Sequence, residues 1–565
     1  MARKVGHYIW APVAGLLPLV PAILLLAVAF VWPISSVLRR SLNRAGQVTT
    51  SGGITFENYI SLFSNDLLRQ IWLETVRLAL YATPITVLLA FPTAYLMSRL
   101  PRRGGLALLA LVTTPFWVSI LLRLFALTAI LGRKGVVNEF FALFGLGPFD
   151  LLFNTRATVI GMVTYLLPYM ILVLYGAMTS IDTSLLTAAR TMGASGRQTF
   201  LHIYLPQVRS AVISGTTLVF VIGLSFFLTP AILGAPNNIT LPIYIAQKIK
   251  VFEWATASAA GIALLVVSSV GYAIAIKIGG ASLLTGSYAV GRGVAGREPL
   301  RLSVGTVVSW IAVGIVLLLL LLPIFIIIPA SFGTTSQIQF PPKGFTTGWY
   351  AQVLHDPIWV GAFIKTVRVG LGTAVLSVAV ALGLARAGIR VQRNWIRTTI
   401  QSMAFAPLVV PGILLAVGIY DVQLTLGTVD TDLGLILGHS VSAFPLAFIL
   451  VSNGMSKLDS SLETAAWSLG AFRFRAFWTI LIPNLVPALV AAFVLSFMTS
   501  FDEVMVALFL TGLNKTLPIV IYSLVLTGVT PAVGAVAVLL ILPVVVGVIG
   551  TLLWSGCRPA TAADT

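Results

Sequence analysis

Residues 187–206 read TAARTMGASGRQTFLHIYLP and residues 464–483 read TAAWSLGAFRFRAFWTILIP. Eight of the twenty aligned positions are identical. The two stretches lie about 277 residues apart, one in each half of the 565-residue chain. A segment of this length, repeated between long apolar runs, marks two related membrane units joined in tandem. Each copy is too polar and too basic to cross a bilayer. What repeats is therefore a soluble surface, presented at two equivalent places where a partner can grip.

Composition fits this reading. With 58% hydrophobic and 9% charged residues, the chain cannot hide its apolar surface in a globular core and must use lipid as solvent. The net charge of +18 does not point to nucleic acid, because the basic residues are spread in short clusters between apolar runs. They act instead as topology determinants. A lone cysteine, Cys557, excludes a disulfide framework and a cysteine-based metal site.

Runs long enough to span the hydrocarbon core fall at 11–32, 71–97, 106–130, 157–178, 210–233 and 256–277. A second set falls at 304–329, 361–385, 398–420, 433–453, 484–508 and 531–554. The expected fold is all-α and polytopic, about 12 transmembrane helices as two parallel six-helix repeats. The first run follows Arg3 and Lys4 and reads as a retained signal anchor. Both termini are then cytoplasmic, and about 20 of the 35 Lys/Arg fall on that side. Arg39, Arg40 and Arg44 go against the bias. The domains expected are 1–277 and 304–565, joined by a Gly/Ser-rich cytoplasmic linker at 278–303.

Within the repeated segment, Leu185, Ala188, Ala189 and Met192 share a helical face that follows Asp182 and ends at Gly193. Asp459, Leu462, Ala465, Ala466, Leu469 and Gly470 repeat the arrangement, and Ser460 with Glu463 fits a capping box. A second short helix, rich in Arg and aromatics, leads to Pro206 or Pro483. Small alanines allow close approach by a partner, and the glycine turns the chain.

The spacing Ala-Ala, Gly, Ile, Pro resembles the EAA loop of binding-protein-dependent ABC importer permeases, and it does so in both copies. Thr187 and Thr464 stand where that family carries Glu. The resemblance implies the type I ABC importer permease fold. It also implies two docking loops for cytoplasmic ATPase subunits, at Thr187, Ala188, Ala189, Gly193, Ile203 and Pro206 and at Thr464, Ala465, Ala466, Gly470, Ile480 and Pro483. Residues 114–138 and 163–182 look like the first permease of spermidine/putrescine importers, and residues 496–531 look like the second. The partners implied are two cytoplasmic ABC ATPases, an external solute-binding protein and membrane lipid, in a bacterial inner membrane. Ferric-iron, phosphonate and opine-type permeases of the same superfamily are the alternative substrates, and a secondary transporter is the alternative class.

No G-x-x-x-x-G-K-[ST] segment occurs, so no cofactor is expected in this chain and ATP-Mg belongs to the partner. The four histidines are far apart, and no catalytic or metal constellation is present. An enzymatic role has no support. Charges inside apolar runs are costly and face a cavity or a partner; they are Glu74, Arg77, Arg123, Lys365, Arg368, Asp502 and Glu503. The i,i+3 pairs Glu74/Arg77 and Lys365/Arg368 suit structural roles at span ends. One of Asp502 and Glu503 either lines a cation path or pairs with a basic residue such as Arg123, unless the helix is broken there. Aromatics near proline, namely Trp117, Tyr165, Tyr169, Phe226 and Phe227, are the other path candidates, since aromatic faces attract ammonium groups.

Overall fold

The computed structural model describes residues 19–44, 53–279, 304–335, 340–391, 393–459, 461–527 and 530–542. Ser460, Cys557, the linker beyond residue 279 and the outer parts of the first and last expected spans lie outside the described residues. Among the described residues the regular structure is helical, apart from one isolated bridge between Gly333 and Phe345.

Nine helices are long and apolar enough to cross a membrane, and two bent pairs raise the number to eleven among the described residues. The all-α polytopic fold expected from the sequence is thus observed. The runs at 106–130 and 398–420, expected as simple crossings, are bent sharply. Arg103–Trp117 meets Ile120–Ala142 at 97°, and Trp395–Val409 meets Gly412–Leu426 at 99°. In the second pair Val410 is extended before Pro411, whose ring disfavours the helical conformation in its predecessor. The first pair turns through extended Val118 and Ser119 after a tight turn that contains Pro115.

Two further expected spans, 210–233 and 484–508, are interrupted. One long helix ends at Leu224 and resumes as Leu228–Leu233; the other ends at Phe501 and resumes as Met505–Leu510. Both short helices lie against a glycine of the preceding span. A Cβ on Gly161 would come within 2.6 Å of Thr229, and one on Gly438 within 2.7 Å of Val506. In lipid, where apolar burial does not favour helix pairing over solvation by acyl chains, such small-residue contacts are a main source of packing energy.

The repeat extends beyond the loops. Thr155–Thr179 matches Asp432–Ser456, and each helix is capped by a side-chain oxygen, Asn154 accepting from the Ala157 N–H at 2.9 Å and Thr431 from the Gly434 N–H at 3.1 Å. The first half is longer between the bent pair and this helix, where it carries the additional helix Val136–Ala142.

The chain groups into two compact units. One comprises Met1–Leu73, Thr240–Ser287 and Gly361–Ile519; the other comprises Glu74–Ile239, Tyr288–Val360 and Val520–Thr565. Each unit therefore joins the core of one half to outer helices of the other. In the unit built on the first-half core, Met162, Leu166, Met170 and Leu174 of the central helix pack with Leu78, Ala82 and, from the second half, Val316 and Leu320.

Candidate docking loops and path residues

Both repeated segments fold as the same turn between two helices. Asp182 caps Thr183–Thr191 by accepting from the Ser184 N–H at 2.9 Å, and Asp459 accepts from the Ser461 N–H at 2.9 Å ahead of Ser461–Ser468. The side-chain hydroxyl and then the backbone N–H of Ser184 hold the Asp182 carboxyl below its ordinary value. Asp459 is lowered by the backbone N–H and then the hydroxyl of Ser461.

Each helix ends in a Schellman motif. Gly193 N–H donates to the Arg190 carbonyl at 2.9 Å and Ala194 N–H to the Ala189 carbonyl at 3.0 Å. Gly470 N–H donates to the Trp467 carbonyl at 3.0 Å and Ala471 N–H to the Ala466 carbonyl at 2.9 Å. The glycines have φ of 87° and 86°, in the left-handed region, and a Cβ built on either would meet nothing within 4 Å. Only the backbone angle demands glycine there.

The paired alanines do not share one fate. Ala188 and Ala465 are exposed, while Ala189 and Ala466 are buried at 9% and 7% against the protein itself. The outward surface thus carries Thr187, Ala188 and Met192 in one loop and Thr464, Ala465 and Leu469 in the other, with Met192 and Leu469 each 88% exposed. Gly193, Gly470, Pro206 and Pro483 are exposed, and Ile203 and Ile480 are half-buried. A wider π-helical turn, Phe200–Tyr204 or Phe477–Leu481, precedes each proline, which cannot donate the next helical hydrogen bond.

Beneath the loops the two halves use different chemistry. In the first, Leu186 is 3% exposed, and Tyr95 makes edge contacts with Phe200 and Tyr204 at 5.9 and 5.3 Å. The Arg99 guanidinium lies 4.9 Å from the Tyr95 ring centre and 5.7 Å from that of Tyr204. A cavity of about 40 Å³ remains beside Leu186 and Tyr204. In the second half Glu463 occupies the position of Leu186 and pairs with Arg386 at 3.3 Å. Arg386 stands where the first half has Tyr95, and it lies 4.6 Å from the Phe477 ring centre. Sequence reading missed this junction; the signal was the substitution of Glu463 for Leu186 within the repeat.

Three of the five aromatic path candidates, Tyr165, Tyr169 and Phe226, come together in one unit. Tyr165 and Tyr169 have ring centres 5.4 Å apart, Phe226 stands edge-on to Tyr165 at 5.1 Å, and Phe116 stands edge-on to Tyr169 at 5.0 Å. Arg123 already lies over Tyr165, at 5.7 Å from its ring centre. Phe226 and Phe227 are buried, and Trp117 is 42% exposed outside the cluster of ring contacts. Phe227 instead faces Tyr522 at 6.2 Å.

Glu503 sits in the other unit, at the helix break. Its carboxylate accepts from the Val506 and Ala507 N–H groups at 2.9 and 3.1 Å, which caps Met505–Leu510. His439, 1% exposed, approaches it at 3.7 Å and shares a 2.8 Å hydrogen bond with Ser500. Asp502 occupies the break itself, half-buried. The first half has Phe226 at the position of Glu503, so aromatic and ionic chemistry alternate here as they do under the loops.

The span-end charges all have partners. Lys365, 5% exposed, donates to the Asn514 carbonyl at 2.6 Å and reaches Asp430 at 3.4 Å, and Arg368 pairs with Asp432 at 2.7 Å. Glu74, at the position of Lys365, accepts from Asn238, and Arg77 lies 3.6 Å from Glu74.

The family described as binding-protein-dependent transport system inner membrane component matches residues 78–278 and again 377–555. The spermidine/putrescine transport system permease protein PotB of Escherichia coli (strain K12) is 33% identical over 216 residues, 38% of this chain and 78% of that protein. The PotB of Haemophilus influenzae is 34% identical over 251 residues, 44% of this chain and 84% of that protein. The ferric transport system permease protein FbpB of Actinobacillus pleuropneumoniae is 26% identical over 401 residues, 67% of this chain and 55% of that protein. This chain belongs to the binding-protein-dependent inner membrane component family, with its domain duplicated. It is a membrane permease component of an ABC-type importer, a non-catalytic transport subunit that works with ATPase partners.

Proposed function

We propose that this chain joins both permeases of one importer, 1–277 and 304–565 linked through 278–303, and that it moves a small cationic solute of the polyamine class inward across a bacterial inner membrane. Two ATPase subunits engage the loops at Thr187–Pro206 and Thr464–Pro483 from the cytoplasm, where both termini also lie, and an external solute-binding protein delivers the substrate. The observation that carries this reading is the doubled loop, identical in cap, Schellman turn and positive-φ glycine, with the same exposed apolar knob at Met192 and Leu469. A turn held so closely in two copies suits force transmission between moving bodies.

The polyamine assignment is supported by likeness to spermidine/putrescine permeases and by the grouping of Tyr165, Tyr169 and Phe226. Aromatic faces and the carboxylates Asp502 and Glu503 suit an alkyl ammonium; Trp117 and Phe227, apart from that grouping, are weaker members of the path. A ferric-iron substrate is the second reading, favoured by the likeness to FbpB over 67% of this chain.

Reconstituted vesicles containing the chain, its ATPase and its binding protein should take up spermidine only with ATP inside the ATPase-accessible compartment. Uptake of ferric iron and not of spermidine under those conditions would replace the polyamine assignment with the second reading.

A further inference from the structure

The unit built on the second-half core contains a buried ionic cluster between segments far apart in the chain. Arg40 of the first helix, Val20–Ser41, pairs with Asp421 of Gly412–Leu426, and their side chains are 18% and 5% exposed. Ser36, one turn earlier, donates its hydroxyl to the same carboxylate. The Arg40 guanidinium also lies 4.7 Å from the ring centre of Trp254, which stacks on Tyr420 at 5.6 Å. Arg40 is therefore held by a partner within the fold, whereas Arg39 and Arg44 are exposed and still run against the charge bias.

The corresponding interface of the other unit, where Val304–Ala330 packs on Ile120–Leu131, carries none of these groups. The hydroxyls of Ser41 and Tyr59 lie 2.6 Å apart, as do those of Ser331 and Tyr350, which places Ala330 at the position of Arg40. The helices after the two bends begin at Ile120 and Gly412, which places Ala129 at the position of Asp421. Ile326 takes the place of Ser36, and Pro531, at the head of Pro531–Leu542, that of Trp254. Ala129 and Ala330 are buried at 8% and 2%. One interface is keyed by charge, and at the equivalent positions its counterpart is apolar.

A duplicated chain faces an assembly problem, because two similar outer helices must find two similar cores. Apolar packing in lipid discriminates weakly between them. A buried charge without its partner is strongly disfavoured, and buried ionic groups are best attested as devices that select register and partner. An Arg40 helix seated against Ala129 would leave a guanidinium unpaired, and an Ala330 helix seated against Asp421 would leave a carboxylate unpaired. Misdocking is penalised on both sides.

We propose that the Asp421 face is a docking surface specific for the arginine-bearing first helix, and that the Arg40–Asp421 pair dictates which outer helix each core accepts. The exchange of outer helices between the halves is then written into the sequence by one ion pair and its alanine counterpart.

Photo-cross-linking of the full chain in membranes tests this. Gly418 seats so closely on Pro33 that a Cβ there would come within 2.9 Å of the Pro33 Cβ, so a leucine-sized diazirine residue at Pro33 labels Gly412–Leu426 when docking is correct. Labelling of Ile120–Leu131, the equivalent helix after the first bend, reports misdocking. With Arg40 and Asp421 present only Gly412–Leu426 should be labelled. Arg40→Met or Asp421→Leu alone should lower folded protein about tenfold, because one charge is left buried. Arg40→Met combined with Asp421→Leu should recover folded protein to within about twofold and raise the labelling of Ile120–Leu131 about tenfold. Recovery with labelling only of Gly412–Leu426 would overturn the proposal, as would single variants that fold like the parent. If the neutral double variant fails to accumulate, the exchanged pair Arg40→Asp with Asp421→Arg decides. Correct cross-linking supports the proposal, and absence of folded, correctly linked protein refutes it.

Discussion

Where the loop helix meets the long span Asp66–Arg99 or Pro357–Arg390, the first half buries Leu186 among Tyr95, Phe200 and Tyr204, whereas the second half sets Glu463 against Arg386 beside Phe477. The same alternation occurs at the helix break, with Phe226 in one half and Glu503 in the other. Yet the backbone devices, the cap, the Schellman turn and the π-helical turn before proline, are shared position for position. Backbone geometry is thus what both loops require, while the chemistry that seats them is free to differ. An aromatic seat depends on area and shape; an ionic seat on a pair of charges at the edge of a low-dielectric region.

The largest effect should come from the shared element. Gly193→Val with Gly470→Val forces a β-branched residue into the left-handed region, a strain of about 1–3 kcal/mol at each site. ATPase co-purification should fall at least tenfold while the amount of inserted protein changes little. Full ATPase binding and full uptake by this double variant would show that the turn is dispensable.

The seats should then separate the halves. Arg386→Met leaves Glu463 without its partner in a half-buried site, and we expect a loss of about 1.5–3 kcal/mol in local stability, read as protease cutting near Ser461–Ser468. Adding Glu463→Leu should restore most of it, since the pair then resembles the first half. Tyr95→Leu should cost less and show no such rescue. Equal losses with no rescue in the second half would mean that the ionic pair does not seat the loop.

A smaller effect is expected at the helix break. Glu503→Gln keeps one carbonyl oxygen for the Val506 and Ala507 N–H groups, so folding should suffer by only about 1 kcal/mol. Phe226→Leu should cost a similar amount through lost ring contact. If the carboxylate and the aromatic grouping both receive an ammonium, spermidine uptake per folded molecule drops for both variants. Uptake like the parent's by Glu503→Gln would confine Glu503 to capping.

Much of this architecture was legible in sequence because the repeat compares the protein with itself. The loop boundaries, and Gly193 and Gly470 as turns, follow from local rules that need no tertiary partner. The bends near Val118 and Val410 were not legible, because an apolar run satisfies a hydropathy count whether straight or broken. Arg40 looked like a misplaced topology charge, since its partner Asp421 is remote in sequence. The seats were missed for a related reason: Glu463 reads locally as a helix-capping residue, and only the fold brings Arg386 to it.

The most direct test of the central claim, two equivalent loops each engaging one ATPase, is the mass of the detergent-solubilised complex. The parent chain should carry two ATPase subunits, and the Gly193→Val/Gly470→Val chain none. One subunit on the parent, or two on the double variant, would contradict it.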